Sequence, residues 1–161
     1  MAHLAGELLK SMTGVDMVHV PYKGSGPLQT DLMAGQITLG ISDMSATPFI
    51  KSGKLKPLAL TAPRRVNAHP DIPAAAETAG LAGYEAVGWF ALYGPGGLPR
   101  PVLDRLHAAL AASVAGSELR TRLVTLGLEP GISTPEGLAA KQREEKDKWQ
   151  KVIADARIKV E

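Results

Sequence analysis

The residue types best suited to chemistry fall in one run, His19-Val20-Pro21-Tyr22-Lys23-Gly24-Ser25-Gly26-Pro27. Tyr22 and Lys23 bring side-chain donors. Gly24, Ser25 and Gly26 form a loop of small residues just before a helical pattern (Leu28, Leu32, Met33) that stops at Gly35. Proline suits the first helical position, where the amide it lacks has no intrahelical partner, so the spacing predicts that Pro27 opens the helix. Unpaired N–H groups and the positive end of the helix dipole make such a loop a seat for a carboxylate or phosphate. The competing reading is a tight strand-to-helix turn that needs glycine and binds nothing.

Two nucleotide chemistries are excluded at this loop. A phosphate-binding P-loop needs Lys directly after its second glycine, followed by Ser or Thr, whereas Lys23 precedes Gly24. A dinucleotide fingerprint needs a third small residue where this chain has Gln29.

A strand–loop–helix unit must position these residues. Met17, Val18 and Val20 read as a short buried strand leading into the loop. Ile37, Leu39 and Ile41 alternate along a second strand that ends at Asp43, and open α/β sheets place ligand contacts at such carboxyl ends. Asp43 could meet a ligand amine, repel a second ligand carboxylate, or pair with Lys23 as acid and base in an enzyme. Upstream, Leu4, Leu8, Leu9 and Met12 share one face of a helix closed by Gly14. That helix lacks a capping residue before His3, which suggests that something once preceded Met1. His3 either contacts ligand or caps its own helix.

Downstream, a short helix over Pro48–Lys51 leads to a strand from Leu55 to Thr61, with Pro57 marking a sheet edge. A proline-punctuated loop and a small helix from Ala74 to Ala79 follow. Tyr84 to Tyr93 is extended and carries Trp89. Gly94-Pro95-Gly96-Gly97-Leu98-Pro99 breaks the chain and marks a boundary between lobes. Beyond it, Val102, Leu103, Leu106 and Leu110 form one helical face. Ser117 should cap a second helix bearing Leu119, Leu123 and Leu126, followed by a strand near Leu128 and a charged helix from Thr134-Pro135. Strands alternating with short helices predict an α/β fold with a parallel, doubly wound sheet.

Composition narrows the partners. The chain has 161 residues, 45% of them hydrophobic and 21% charged, with a net charge of +2, as expected of an ordinary globular protein. Basic residues are scattered without interleaved aromatics, which argues against nucleic acid. With no cysteine, thiolate metal sites and cysteine nucleophiles are excluded. His3, His19, His69 and His107 form no ligand pair at helical spacing, so neither a metal nor another cofactor is expected. No window reaches the ~18 apolar residues of a membrane span. His3, Glu7 and Lys10 interrupt the region where a signal peptide would be apolar.

The motifs together resemble one family. Ala2-His3-Leu4-Ala5-Gly6-Glu7-Leu8, His19-Val20-Pro21-Tyr22-Lys23-Gly24, Asp31-Leu32-Met33-Ala34-Gly35-Gln36 and Gly53-Lys54-Leu55-Lys56-Pro57-Leu58-Ala59 occur in order. They are followed by Arg65, Pro70-Asp71-Ile72-Pro73, Glu77-Thr78-Ala79-Gly80, Gly83-Tyr84-Glu85, Trp89-Phe90 and Thr134-Pro135-Glu136. The chain resembles the solute-binding proteins of tripartite tricarboxylate transporters, the TctC or Bug family.

The resemblance implies a type II periplasmic binding protein fold, in which two hinged lobes close on a small carboxylated solute. It implies a non-catalytic, periplasmic receptor that works with membrane transporter subunits. Residues 1–94 would form the second lobe, and residues 95–161 a C-terminal segment that packs on a first lobe this chain lacks. The ligand-binding residues implied are His3, Tyr22, Lys23, Gly24, Ser25, Gly26, Asp43, Ser45 and Trp89. The chain departs from the family pattern where Ala74 replaces a capping Thr and where the last helix carries Lys141, Gln142 and Lys146. A fragment of this kind should expose the aliphatic faces of residues 100–126, associate with a second copy, and bind solutes weakly or not at all without the first lobe. The alternatives are an enzyme acting on a small carboxylic acid and a remnant with no binding activity.

Overall fold

A computed structural model of the chain describes residues 1–158. Its helices are α1 (Ala2–Thr13), α2 (Ser25–Met33), α3 (Thr47–Lys51), α4 (Arg100–Ala115), α5 (Ser117–Thr125) and α6 (Pro135–Asp155). Short 3-10 turns cover Met44–Ala46 and Ala75–Glu77. Contacts divide the chain into two compact units. One comprises Met1–Gly88 together with the C-terminal stretch from Trp149, the other Trp89–Lys148.

In the first unit, α1 turns its apolar stripe inward. Ala5 is buried and clusters with Ala75, Leu81, Tyr84 and Ala86, while Leu8, Leu9, Met12, Ile41 and Trp149 pack around them. Three of the five buried positions are alanine, so backbones approach closely here. The largest fully buried side chain is Tyr84, whose hydroxyl donates to the Ala5 carbonyl at 3.0 Å. Burial raises the Tyr84 pKa, so the phenol keeps the proton that makes this tie. As expected, α1 begins without a side-chain cap and ends on Gly14 in the left-handed region.

The segments read as strands are extended but scarcely paired. Among the described residues, the one β-bridge joins Leu60 and Ala74 in parallel. Flanking it, the Leu60 amide donates to Pro73, the Ala75 amide to Leu60 and the Ala86 amide to Thr61, all within 2.9 Å. Val18 was expected to be buried and is 87% exposed, and Val20, Leu39 and Leu58 are exposed too. Parallel strands form only when both faces are covered, and this chain leaves those faces open. The helix expected over Ala74–Ala79 shrinks to the turn Ala75–Glu77. Proline and glycine flank it closely, and Ala74 has no side-chain oxygen to cap it. The residues around Leu128 form no strand.

The second unit has no buried residue among those described. Gly116, not Ser117, occupies the capping position of α5. Val102, Leu106, Leu119, Val124 and Leu126 are all exposed. Polar ties hold this unit: Arg100 donates to Asp104 at 2.8 Å and to Glu136 at 2.7 Å, and the Gln142 amide donates to the Tyr93 hydroxyl at 2.8 Å. Solvent screens exposed ion pairs of this kind, and they contribute little. No helix of the described residues is long and apolar enough to cross a membrane.

Candidate functional site

The N-terminus of α2 is the centre of the site. The helix begins at Ser25, earlier than the expected start at Pro27, and Gly24 occupies the capping position. Gly24 has φ 101° and ψ 176°, a conformation essentially closed to residues with a Cβ. It therefore turns the incoming chain sharply into the helix. Pro27, with no amide to lose, sits in the first turn, where amides lack intrahelical acceptors. The amides of Gly24, Ser25 and Gly26 face the helix start, and no side chain caps them. Lys23 beside them is exposed.

A polar cluster braces this helix end from behind. The Ser25 hydroxyl donates to Asp43 Oδ2 at 2.8 Å, while Asp43 Oδ1 accepts from the Ser45 amide at 3.0 Å and from the Ser45 hydroxyl. Asp43 thus caps the turn Met44–Ala46 and links it to α2. The Ser45 hydroxyl bond is the main cause of a lowered Asp43 pKa; burial opposes it, and the Ser25 hydroxyl and Ser45 amide add to it. An ionised, hydrogen-bonded carboxylate of this kind is a weak base. Its bonds go to serines, which removes the support for an acid–base pair with Lys23.

Sequence reasoning missed Gln29, the buried polar side chain of this cluster at 4% exposure. Its amide nitrogen donates to the hydroxyls of Ser42 at 2.9 Å and Ser45 at 2.8 Å. Ser25 and Gln29 are one helical turn apart and share a face. That spacing, beside serines flanking Asp43, was the available signal.

The other candidate residues separate from this cluster. The Tyr22 hydroxyl donates to Asp31 Oδ2 at 2.8 Å, and this bond is the leading cause of its raised pKa. Its proton is therefore spent on α2 and not offered outward. His3 stacks on His19, with centroids 3.8 Å apart and ring planes 3° from parallel. Trp89 begins the other unit and is half-buried. Two surface depressions lie elsewhere, one beside Ser117 and Leu119, the other beside Glu7 and Asp155. Exposed at Lys23, Gly24 and Gly26, the helix terminus is an open shelf.

Several motif residues serve the fold. Arg65 makes a two-pronged bond to Glu77, at 3.1 Å from Nε and 2.9 Å from Nη2 to Oε2, and also donates to the Pro70 carbonyl at 3.1 Å. Glu77 Oε1 in turn accepts the Ala74 amide at 2.9 Å. Arg65 is the main cause of a lowered Glu77 pKa. This clamp closes the proline-rich loop.

Comparison with known proteins completes the picture. The family described as "Tripartite tricarboxylate transporter family receptor" matches residues 1–158. A protein from Pseudomonas sp. (strain P51), the UPF0065 protein in the tcbD-tcbE intergenic region, is 35% identical over 97% of this chain and 47% of its own length. Among solved structures, R. palustris Rpa4515 with adipate is 35% identical with a TM-score of 0.80, covering 98% of this chain and 52% of that one. The periplasmic binding protein BugD is 33% identical with a TM-score of 0.75, over 98% of this chain and 54% of that one. MatC from Rhodopseudomonas palustris with bound malate is 33% identical with a TM-score of 0.69, over 95% of this chain and 53% of that one. The chain spans about half the length of each of these relatives. Its fold is that of the corresponding part of periplasmic binding proteins, an α/β architecture, and the chain belongs to the tripartite tricarboxylate transporter receptor family.

Proposed function

We propose that this chain supplies one wall of a periplasmic solute-binding site, which captures a small carboxylate for a tripartite tricarboxylate-type transporter. The observation that carries the reading is the uncapped start of α2, where Gly24 adopts a glycine-only conformation. A ligand carboxylate would accept the amides of Gly24, Ser25 and Gly26 and meet the exposed Lys23. Asp43, held ionised by Ser25 and Ser45, sets the limit on charge: a second ligand carboxylate is repelled from this end and an amine is welcomed. His3 and Tyr22 shape the approach. Adipate and malate, the carboxylates that accompany two related structures, agree in class.

The chain would act by binding and consume nothing. A thermal-shift screen of the 161-residue chain against C4 to C6 dicarboxylates, citrate, aromatic carboxylates and acidic amino acids tests this. A ligand at ~100 times its Kd adds about 2.7 kcal/mol, a rise of roughly 5–10 °C for a chain of this size. No shift with any carboxylate overturns the binding reading for this chain and favours a folded remnant that binds nothing, and ligand consumed during incubation would support an enzyme instead.

The same proposal takes two copies of the chain in solution, joined through α4 and α5. Neither helix has a buried residue, and Val102, Leu106, Leu119, Val124 and Leu126 stand open. Monomers rarely leave an apolar patch above roughly 300–600 Å² uncovered, and a two-fold contact covers both copies at once. Light scattering that finds a stable monomer at micromolar concentration refutes this assembly.

A further inference from the structure

We propose that His3 and His19 form a pH-sensitive latch, which holds the segment leading into the Tyr22–Gly26 loop against the start of α1 and releases it on acidification. The rings stack face to face, 3.8 Å between centroids and 3° from parallel. His3 belongs to the first turn of α1, and His19 to the extended segment before the loop. Among the described residues, no hydrogen bond holds Met17–Pro21, and Val18 and Val20 are exposed. The stack ties this segment to the start of α1. Parallel rings also keep their in-plane lone pairs from converging on one metal ion.

A stack of two imidazoles tolerates at most one proton, because two like charges at this separation repel. The groups around the pair are all on α1. Glu7 Oε1 lies 3.9 Å from His3 Nε2 and shares its charge with Lys10, whose ammonium is 3.0 Å away. His19 accordingly titrates low: loss of hydration is the main cause, His3 and Lys10 push the same way, and Glu7 opposes them. As a residue His19 remains exposed, and one face of its ring is covered by His3. With its folded pKa below 6.5, neutral His19 contributes stability that is present above 6.5 and lost as pH falls through the folded value. The second proton opens the stack and frees the loop.

The test is a titration of the intact 161-residue chain by imidazole and amide NMR from about pH 8 to about pH 5, the range histidine spans. In the wild type, His19 should titrate below 6.5, and the amides of Val18, Val20, Tyr22 and Lys23 should change with the same midpoint. His3→Gln should move the His19 midpoint up toward 6.5, and His19→Gln should abolish the amide response. A wild-type His19 midpoint at or above 6.5 overturns the latch. So does a midpoint unmoved by His3→Gln, or amides that ignore the titration. If neither variant folds, the wild-type titration alone decides.

Discussion

Two glycines of one short loop should respond to the same substitution with opposite signs. A Cβ built at Gly24 or at Gly26 meets nothing within 4 Å, so sterics are silent at both and only backbone conformation acts. Gly24 has φ 101° and ψ 176°, a region that costs other residues about 1–3 kcal/mol. The lower entropy of an unfolded chain with alanine returns about 0.4–1 kcal/mol. Gly24→Ala should therefore destabilise, by up to about 2.6 kcal/mol, or up to roughly 10 °C in Tm for a chain of this size. Gly26 lies inside α2 and outside the positive-φ set. Alanine there gains helix propensity, and Gly26→Ala should stabilise by about 0.5–1 kcal/mol. Differential scanning calorimetry of both variants beside the wild type reads the two shifts directly. A stabilising Gly24→Ala, with the same sign as Gly26→Ala, would show that Gly24 is not held in this conformation and that the chain is not turned sharply into an open helix start. Gly24→Val, which distorts the same amides further, should also abolish any carboxylate-induced thermal shift.

Other perturbations test the supports of the site. Gln29→Leu removes two hydrogen bonds from a side chain 4% exposed and should cost about 1–3 kcal/mol; an unchanged urea midpoint would show that the cluster contributes nothing. Tyr84→Phe deletes the bond to the Ala5 carbonyl while keeping the ring, and should cost about 1 kcal/mol, against about 3–5 kcal/mol for Tyr84→Ala. Equal losses in the two Tyr84 variants would place the energy in the hydroxyl. Asp43 has its pKa lowered below 3.8, so its contribution is full above 3.8 and fades as pH falls through the folded value. Asp43→Asn should flatten the acid limb of a Tm–pH curve, and an acid limb identical to wild type would show that the serine bonds do not hold the carboxylate.

What the sequence made legible followed from how local each signal is. The α1 stripe of Leu4, Leu8 and Leu9, the Pro101 start of α4 and the Thr134-Pro135 start of α6 depend on neighbours within a turn or two. Those helices stand close to where they were expected. In α6, Thr134 Oγ1 accepts the Gly137 amide at 3.0 Å and so caps the helix start. The strands were different. Alternation at Ile37, Leu39 and Ile41 says that one face wants cover but not what covers it. With Leu39 and Val18 exposed, a period of two produced extended chain without a ladder. The start of α2 was misplaced because proline preference outweighed a stronger cue, the glycine-only turn at Gly24.

The site was half legible for a related reason. Residue types told that the stretch from Tyr22 to Gly26 is rich in donors, but not which donors are already committed. Tyr22 gives its proton to Asp31, Ser25 gives its own to Asp43, and Asp43 spends both oxygens on serines. What remains for a ligand is backbone, the amides of Gly24 to Gly26, with Lys23 nearby. A site built from backbone at a braced helix start is rigid where it meets the anion and indifferent to the rest of the ligand. Ligand preference must then come from the groups around the shelf, and Asp43 is the charged group held against it. On the proposed reading, its serine bonds fix a negative charge one side chain away from the seat. A carboxylate would then settle on the amides only with the remainder of the ligand turned away from Asp43, or with an amine turned toward it.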